Sequence, residues 1–155
     1  MSTEISTPEQ LDLLEALIDG WLAEQLEENP AIDDVVRDRE TDERRWFVRV
    51  AGVEKSVFSI WFHLRQRTLS LETYFMPAPE ENEAELYEHL LRRNSKMFGL
   101  AFSIGAEDAV FLAGQLPNAT ISRNDLDRLL GSTYEYVESF FRPAMRIGYA
   151  TKFAG

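Results

Sequence analysis

The sequence predicts an α+β fold: an antiparallel sheet with helices on one face, in the order α-ββββ-α-ββ-α. Three observations carry this. Apolar residues recur at helical spacing in three places, near the start, around Leu86–Leu91, and from Leu126 to Phe141. Between them lie short alternating runs whose connections are too short for parallel crossovers, so neighbours pair antiparallel and helices cover one side. With 155 residues and 45% apolar side chains, and no linker or repeat, residues 1–155 read as a single domain with one core.

The first helix opens at Thr7-Pro8-Glu9-Gln10. Thr7 can cap, Pro8 suits the first helical position, and Gln10 can complete a capping box. Leu11, Leu14, Ile18, Trp21 and Leu22 form its apolar stripe, Gly20 weakens it or permits a close contact, and Asn29-Pro30 ends it. Glu27 and Glu28 oppose the helix dipole at that end, so they are either screened by water or matched by a basic neighbour.

Strand-like runs follow. Ile32 to Arg39 is the weakest; Arg44 to Val50 sets Trp46, Val48 and Val50 against Arg45, Phe47 and Arg49. Val57 to Leu64 sets Phe58, Ile60, Phe62 and Leu64 against Val57, Ser59, Trp61 and His63, and Leu69, Leu71, Thr73 and Phe75 then oppose Ser70, Glu72, Tyr74 and Met76. Pro77-Ala78-Pro79 stops that run. Asn82 and Glu85 open a second helix carrying Leu86, Tyr87, Leu90 and Leu91. Phe98 to Ile104, a Gly105–Asp108 turn, and Val110 to Leu116 make a hairpin. Ser122 to Asp125 opens the last helix, with Pro143 expected to kink or end it near Phe141 and leave Ala144–Phe153 as a separate short piece.

Composition removes several functions. There is no cysteine, hence no disulfide, thiolate catalysis or cysteine-bound metal. No apolar run is long enough to span a bilayer, and the acidic N-terminus is unlike a signal peptide, so a cytoplasmic protein is expected. Of 27 carboxylates ten lie in residues 1–36, which hold no Lys or Arg; the rest of the chain is close to neutral. Such a field repels nucleic acid and anionic membranes as partners. The acidic segment is either a solvated face or a docking surface for a basic partner. Asn118-Ala119-Thr120 matches a glycosylation sequon but reads as an ordinary turn.

The C-terminal third also carries a resemblance. Leu90-Leu91-Arg92-Arg93-Asn94 ends a helix ahead of the hairpin Phe98-Gly99-Leu100-Ala101-Phe102-Ser103-Ile104 and Asp108-Ala109-Val110-Phe111-Leu112. Leu116-Pro117 leads to Leu126-Asp127-Arg128-Leu129-Leu130, and Val137-Glu138-Ser139-Phe140-Phe141-Arg142-Pro143 follows. In wording and element order this resembles the YbjN family of bacterial sensory-transduction regulators, in its actinobacterial branch, with a type III secretion chaperone-like fold. The resemblance implies a dimer that binds an unfolded stretch of another protein, and it brings no catalytic residues to carry over.

The residues themselves show no Walker loop, nucleophile elbow or dinucleotide fingerprint, and neither His63 nor His89 has a second ligand at metal-binding spacing. Catalytic residues, metal and cofactor are therefore expected to be none. A weak enzyme reading would use Trp61, His63, Glu72 and Tyr74 on one strand face, with His63 as base beside Glu72. The favoured reading is a non-enzymatic protein-binding module, chaperone-like or regulatory, acting as a homodimer and holding a segment of a client protein. Its expected contact residues are Trp46, Arg49, Trp61, Arg65 and Tyr74, rings and arginines on the sheet side away from the helices, with Phe47 replacing Trp46 if the register shifts. The alternative is a small-molecule sensor or a weakly specified enzyme with a pocket between sheet and helices, lined by Trp21, His63 or Tyr134. The arginines of Phe140–Tyr149 either border the core or meet the acidic helix of a second copy.

Overall fold

In the computed structural model, which describes residues 4–153, the chain runs α1 (Pro8–Glu28), β1 (Ile32–Arg37), β2 (Arg44–Ala51), β3 (Val57–Leu64) and β4 (Thr68–Met76). It continues through α2 (Glu83–Asn94), β5 (Leu100–Ile104), β6 (Val110–Pro117) and α3 (Arg123–Gly148). The strands form one antiparallel sheet in the spatial order β1-β2-β3-β4-β6-β5. This is the α+β arrangement with one antiparallel sheet, in the order α-ββββ-α-ββ-α, that the sequence predicts.

Alternation sorts the strands cleanly. Trp46, Val48 and Val50 of β2, Phe58, Ile60, Phe62 and Leu64 of β3, and Leu69, Leu71 and Phe75 of β4 are all buried on one face. Ile18 and Leu22 of α1, Leu86 and Leu90 of α2, and Leu126, Leu130 and Val137 of α3 join them in a single core cluster. Each such side chain contributes about 1.5–3 kcal/mol by leaving water.

The helix ends follow local chemistry. Thr7 Oγ1 accepts from Gln10 N at 3.2 Å while Gln10 Oε1 accepts from Thr7 N at 2.8 Å, completing the capping box ahead of Pro8. Ser122 and Asp125 do the same for α3. α2 starts where the sequence places it, directly after Asn82. Asn82 adopts left-handed backbone (φ 54°) and does not cap; its amide instead donates to the Ile147 carbonyl at 2.9 Å, tying the start of α2 to the end of α3.

Pro143 does not end α3, which continues to Gly148. The ring and Ser139, whose carbonyl loses its partner, both lie on the exposed side, where water can bind that carbonyl. Ala144, Met145 and Gly148 are buried just beyond and hold the last turns against the core. Tyr149 anchors the end, its hydroxyl donating to Ala78 O at 2.6 Å. Elsewhere β1 stops at Arg37 with a bulge between Ile32 and Asp34, and Phe98 lies outside β5 and is exposed. Asn118 of the sequon is buried, with its amide donating to Arg65 O at 2.7 Å.

Polar contacts fix α1 to the sheet. Glu15 accepts from Arg37 and Arg44 at 3.0 Å each, and Asp12 accepts from Arg44 at 2.8 Å. Arg123 of α3 binds Glu24, Glu28 and Asp127, which supplies the basic neighbour that the acidic end of α1 lacks in its own sequence. The deepest of these contacts corrects the sequence reading. Trp46 belongs under the helices, 1% exposed, and its Nε1–H donates to Asp19 Oδ1 at 2.6 Å. Asp19→Leu should therefore cost about 1–3 kcal/mol in urea unfolding, whereas Asp19→Asn, which keeps an acceptor, should cost less than half as much. Equal losses for both would show that the hydrogen bond is not what holds the indole.

Candidate protein-binding face

Among the described residues, no helix covers the other side of the sheet. Register brings Phe47 opposite Trp61, Trp61 opposite Glu72, and Glu72 opposite Ala113, while Tyr74 lies opposite Phe111. Phe47 and Trp61 pack edge to face at 3.8 Å between ring centroids, and Tyr74 and Phe111 likewise at 5.6 Å. Trp61 and Tyr74 are 41% and 44% exposed, so both pairs remain open to contact. Edge-to-face packing holds rings in place, so little ordering remains to be done on binding.

Arginines border these rings. Arg49 sits beside Ser59 across the β2–β3 ladder, and Arg65 follows the end of β3. Both are exposed, and neither makes an ion pair among the described residues. Arg45, on the same side, is already committed to Asp38 at 2.6 Å. The Asp38 carboxyl is held below its usual range by the Glu40 N–H and then by Arg45. Next to Arg65 an open hollow of about 500 Å³ is lined by Ser70, Glu72 and Gln115.

Of the expected contact residues, the structure thus brings Arg49, Trp61, Arg65 and Tyr74 to the helix-free side and leaves Trp46 beneath the helices. Phe47 takes the place of Trp46. Phe111 and Lys55 complete the surface, and alternation with the buried Val110 and Leu112 is the signal that locates Phe111.

Lys55, in the β2–β3 turn, closes one end. β3 and β4 stop pairing at Ile60 and Thr73, leaving later carbonyls of β4 without a strand partner on that side. The Lys55 ammonium donates to the carbonyls of Tyr74 at 2.6 Å and Phe75 at 2.8 Å, and it lies 5.3 Å from the Tyr74 ring. The turn itself is pinned by Glu138, which accepts from Val53 N and Glu54 N, and by Arg142 on Glu54 at 2.6 Å.

Both sheet edges are guarded. Asn94, at the end of α2, accepts from Phe102 N at 2.7 Å and donates to Phe102 O at 3.2 Å, so one amide occupies the free side of β5. On β1, Val35 N donates to the Asp34 carboxylate at 2.9 Å. An incoming strand would have to displace these contacts.

The residues of the enzyme reading share the helix-free face, but among the described residues His63 and Glu72 make no hydrogen bond or ion pair with each other. His63 lies opposite Ser70, and its nearest carboxylate contact is Glu43 at 4.0 Å. Burial, and then Arg65, push its pKa below the ordinary value. Trp21, His63 and Tyr134 do not converge on one pocket: His63 is on the open face, Trp21 packs on the core from α1, and Tyr134 lines a surface hollow on α3. Among the described residues no group of His, Asp and Glu is placed to hold a metal ion, and no helix is long and apolar enough to cross a membrane.

Comparison with known proteins places this geometry. The model of the YbjN family, "Putative bacterial sensory transduction regulator", matches residues 11–144. An uncharacterized protein of Mycobacterium tuberculosis is 26% identical over 102 residues, covering 66% of this chain and 56% of its own. One from Mycobacterium leprae is 25% identical over 105 residues, covering 68% and 57%. The chain thus spans little more than half the length of these curated relatives. Among solved structures, a chain of the ExsC-ExsE complex matches at TM-score 0.58 with 18% identity, over 83% of this chain and 94% of that one. A chain of the heterodimeric ExoU-SpcU complex of the Pseudomonas aeruginosa type III secretion system matches at TM-score 0.54 with 13% identity, over 81% and 98%. These likenesses establish the fold.

The depressed Lys55 pKa makes its anchoring testable. Burial pushes the amine from 10.5 down to about 8. Between those values the unfolded chain binds more protons than the folded one, so stability due to this group rises with pH. Urea unfolding of the wild type, referred to Lys55→Met, should show a relative gain between about pH 8 and pH 10.5. A flat difference would mean that the amine is freely solvated.

Proposed function

The chain belongs to the YbjN family, and we propose that it is a non-enzymatic protein-binding module, chaperone-like or regulatory, that holds a segment of a client on the open sheet face. The observation that carries this reading is the pair of edge-to-face ring contacts, Phe47–Trp61 and Tyr74–Phe111, left uncovered and bordered by unpaired Arg49 and Arg65. Large rings supply apolar area at low entropic cost, and guanidinium forks take carboxylates or carbonyls; both are enriched at interface hot spots. That both neighbouring folds come from complexes with another protein supports the same reading. Residues 1–155 are taken to act as one cytoplasmic domain.

Cross-linked capture from the native host tests the reading, with wild type set against a folded Trp61→Ala, Arg65→Glu double variant. A client held by wild type and reduced about 30-fold by the double variant, the loss of one hot spot of roughly 2 kcal/mol, is the expected result. Equal recovery by both proteins would remove the face from consideration.

A second surface favours a homodimer. Leu91, Phe98 and Ile104 are exposed at the α2–β5 end of the sheet, around a hollow of about 220 Å³ lined by Tyr87, Leu90 and Phe102. We propose that a second copy covers it. Leu91→Glu with Ile104→Glu should convert a dimer to a monomer in light scattering while leaving circular dichroism unchanged; a wild type that is monomeric at 50-fold the client-binding concentration would refute the dimer but not the client face.

A further inference from the structure

α1 is apolar on two sides. Its inner side packs Leu14, Ile18 and Leu22 on the sheet. On the opposite side Leu13 (64% exposed) and Leu17 (40%) line up with exposed Ala16, Gly20 and Ala23. This stripe runs along about three turns, and among the described residues nothing covers its middle: a Cβ placed on Gly20 would meet no atom within 4 Å. At its N-terminal end, Ile5, Gln10 and Leu13 open onto a hollow of about 210 Å³.

The charges that α1 itself carries around the stripe are of one sign. Residues 1–36 carry no Lys or Arg. Asp12, Glu15, Asp19, Glu24 and Glu28 are engaged by Arg44, Arg37, Trp46 and Arg123. Glu9 and Glu27, which lie on the line of the stripe beyond its two ends, make no ion pair among the described residues. They are eighteen positions apart, about 27 Å along the helix.

These features select among occupants. A second α1 laid against the first would set Glu9 or Glu27 against its own kind at each end of the contact. An anionic membrane is repelled by the same groups. A helix that is apolar along three turns and basic at both ends satisfies the stripe and the two carboxylates together. We propose that the outer side of α1 docks a basic amphipathic helix of another protein, with Gly20 at the point of closest approach. Absence of a side chain there lets two helix axes come near the short end of their usual 8–10 Å separation. This surface lies on the helix side of the sheet and stands independently of the client face.

The test uses the full chain and a fluorescently labelled synthetic 20-residue helix, with a Leu/Ala stripe and two lysines at each end. The control peptide carries glutamates in place of the lysines. Anisotropy should show saturable binding of the lysine-ended helix only, weakened at least tenfold between 50 and 300 mM salt. Leu17→Glu and Gly20→Leu should each weaken it at least tenfold while their circular dichroism and melting remain native; Gly20→Leu even improves helix propensity. Trp61→Ala should leave it unchanged, which separates this result from failure of the client face. Equal affinity for both peptides, no saturable binding, or full binding by folded Leu17→Glu would overturn the proposal. So would a dimer that Leu17→Glu splits into monomers, since a second copy would then be the occupant.

Discussion

One-sided covering of the sheet is the constraint from which the rest follows. All three helices contribute to the core under one face, where Trp46, Phe62, Leu71 and Phe75 are essentially inaccessible. Strand alternation then leaves every second side chain on a face with no element of this chain to cover it. Phe47, Trp61, Tyr74 and Phe111 stand there because their neighbours are needed below. The contacts that keep α1 in place, Trp46 on Asp19 with Arg37 and Arg44 on Glu15, agree with that alternation, which buries Trp46 with Val48 and Val50 and presents Phe47 outward.

Much of this was legible in the sequence because the signals are local. Capping boxes at Thr7 and Ser122, alternation in three of the strands, and the Gly105–Asp108 turn depend on residues within a few positions of one another. The misreadings share a different cause. Trp46 shares its strand face with Val48 and Val50, and its indole is fixed there by Asp19, 27 residues upstream. Pro143 carries a strong helix-breaking tendency, yet the cost falls on a solvent-facing carbonyl while the core retains Ala144 and Met145.

The same limit hid the outer stripe of α1. A reading that looks for one apolar face is satisfied by Leu14, Ile18 and Leu22, and it assigns everything else to solvent. Leu13 and Leu17 become informative only when the packing shows that α1 needs neither of them for the core. The concentrated acidity divides in a comparable way. Most carboxylates of α1 are structural, matched by arginines from β1, β2 and α3, and what is left over is small and specific in place.

The guarded edges bear on how a client would be read. An added strand is held by main-chain hydrogen bonds, which are nearly indifferent to sequence, and specificity then comes only from side-chain pockets. Here Asn94 occupies the free side of β5 at Phe102, and Asp34 takes the Val35 N–H of β1. Displacing either would leave a polar group to be satisfied again, at about 1–3 kcal/mol for a buried one. Face-on contact requires no such exchange. A segment lying across Trp61 and Tyr74 would meet rings and guanidinium groups, so affinity and selectivity would come from the same side chains. A module that held a client in this way would discriminate among segments by where their apolar and acidic residues fall, not by their willingness to become strands.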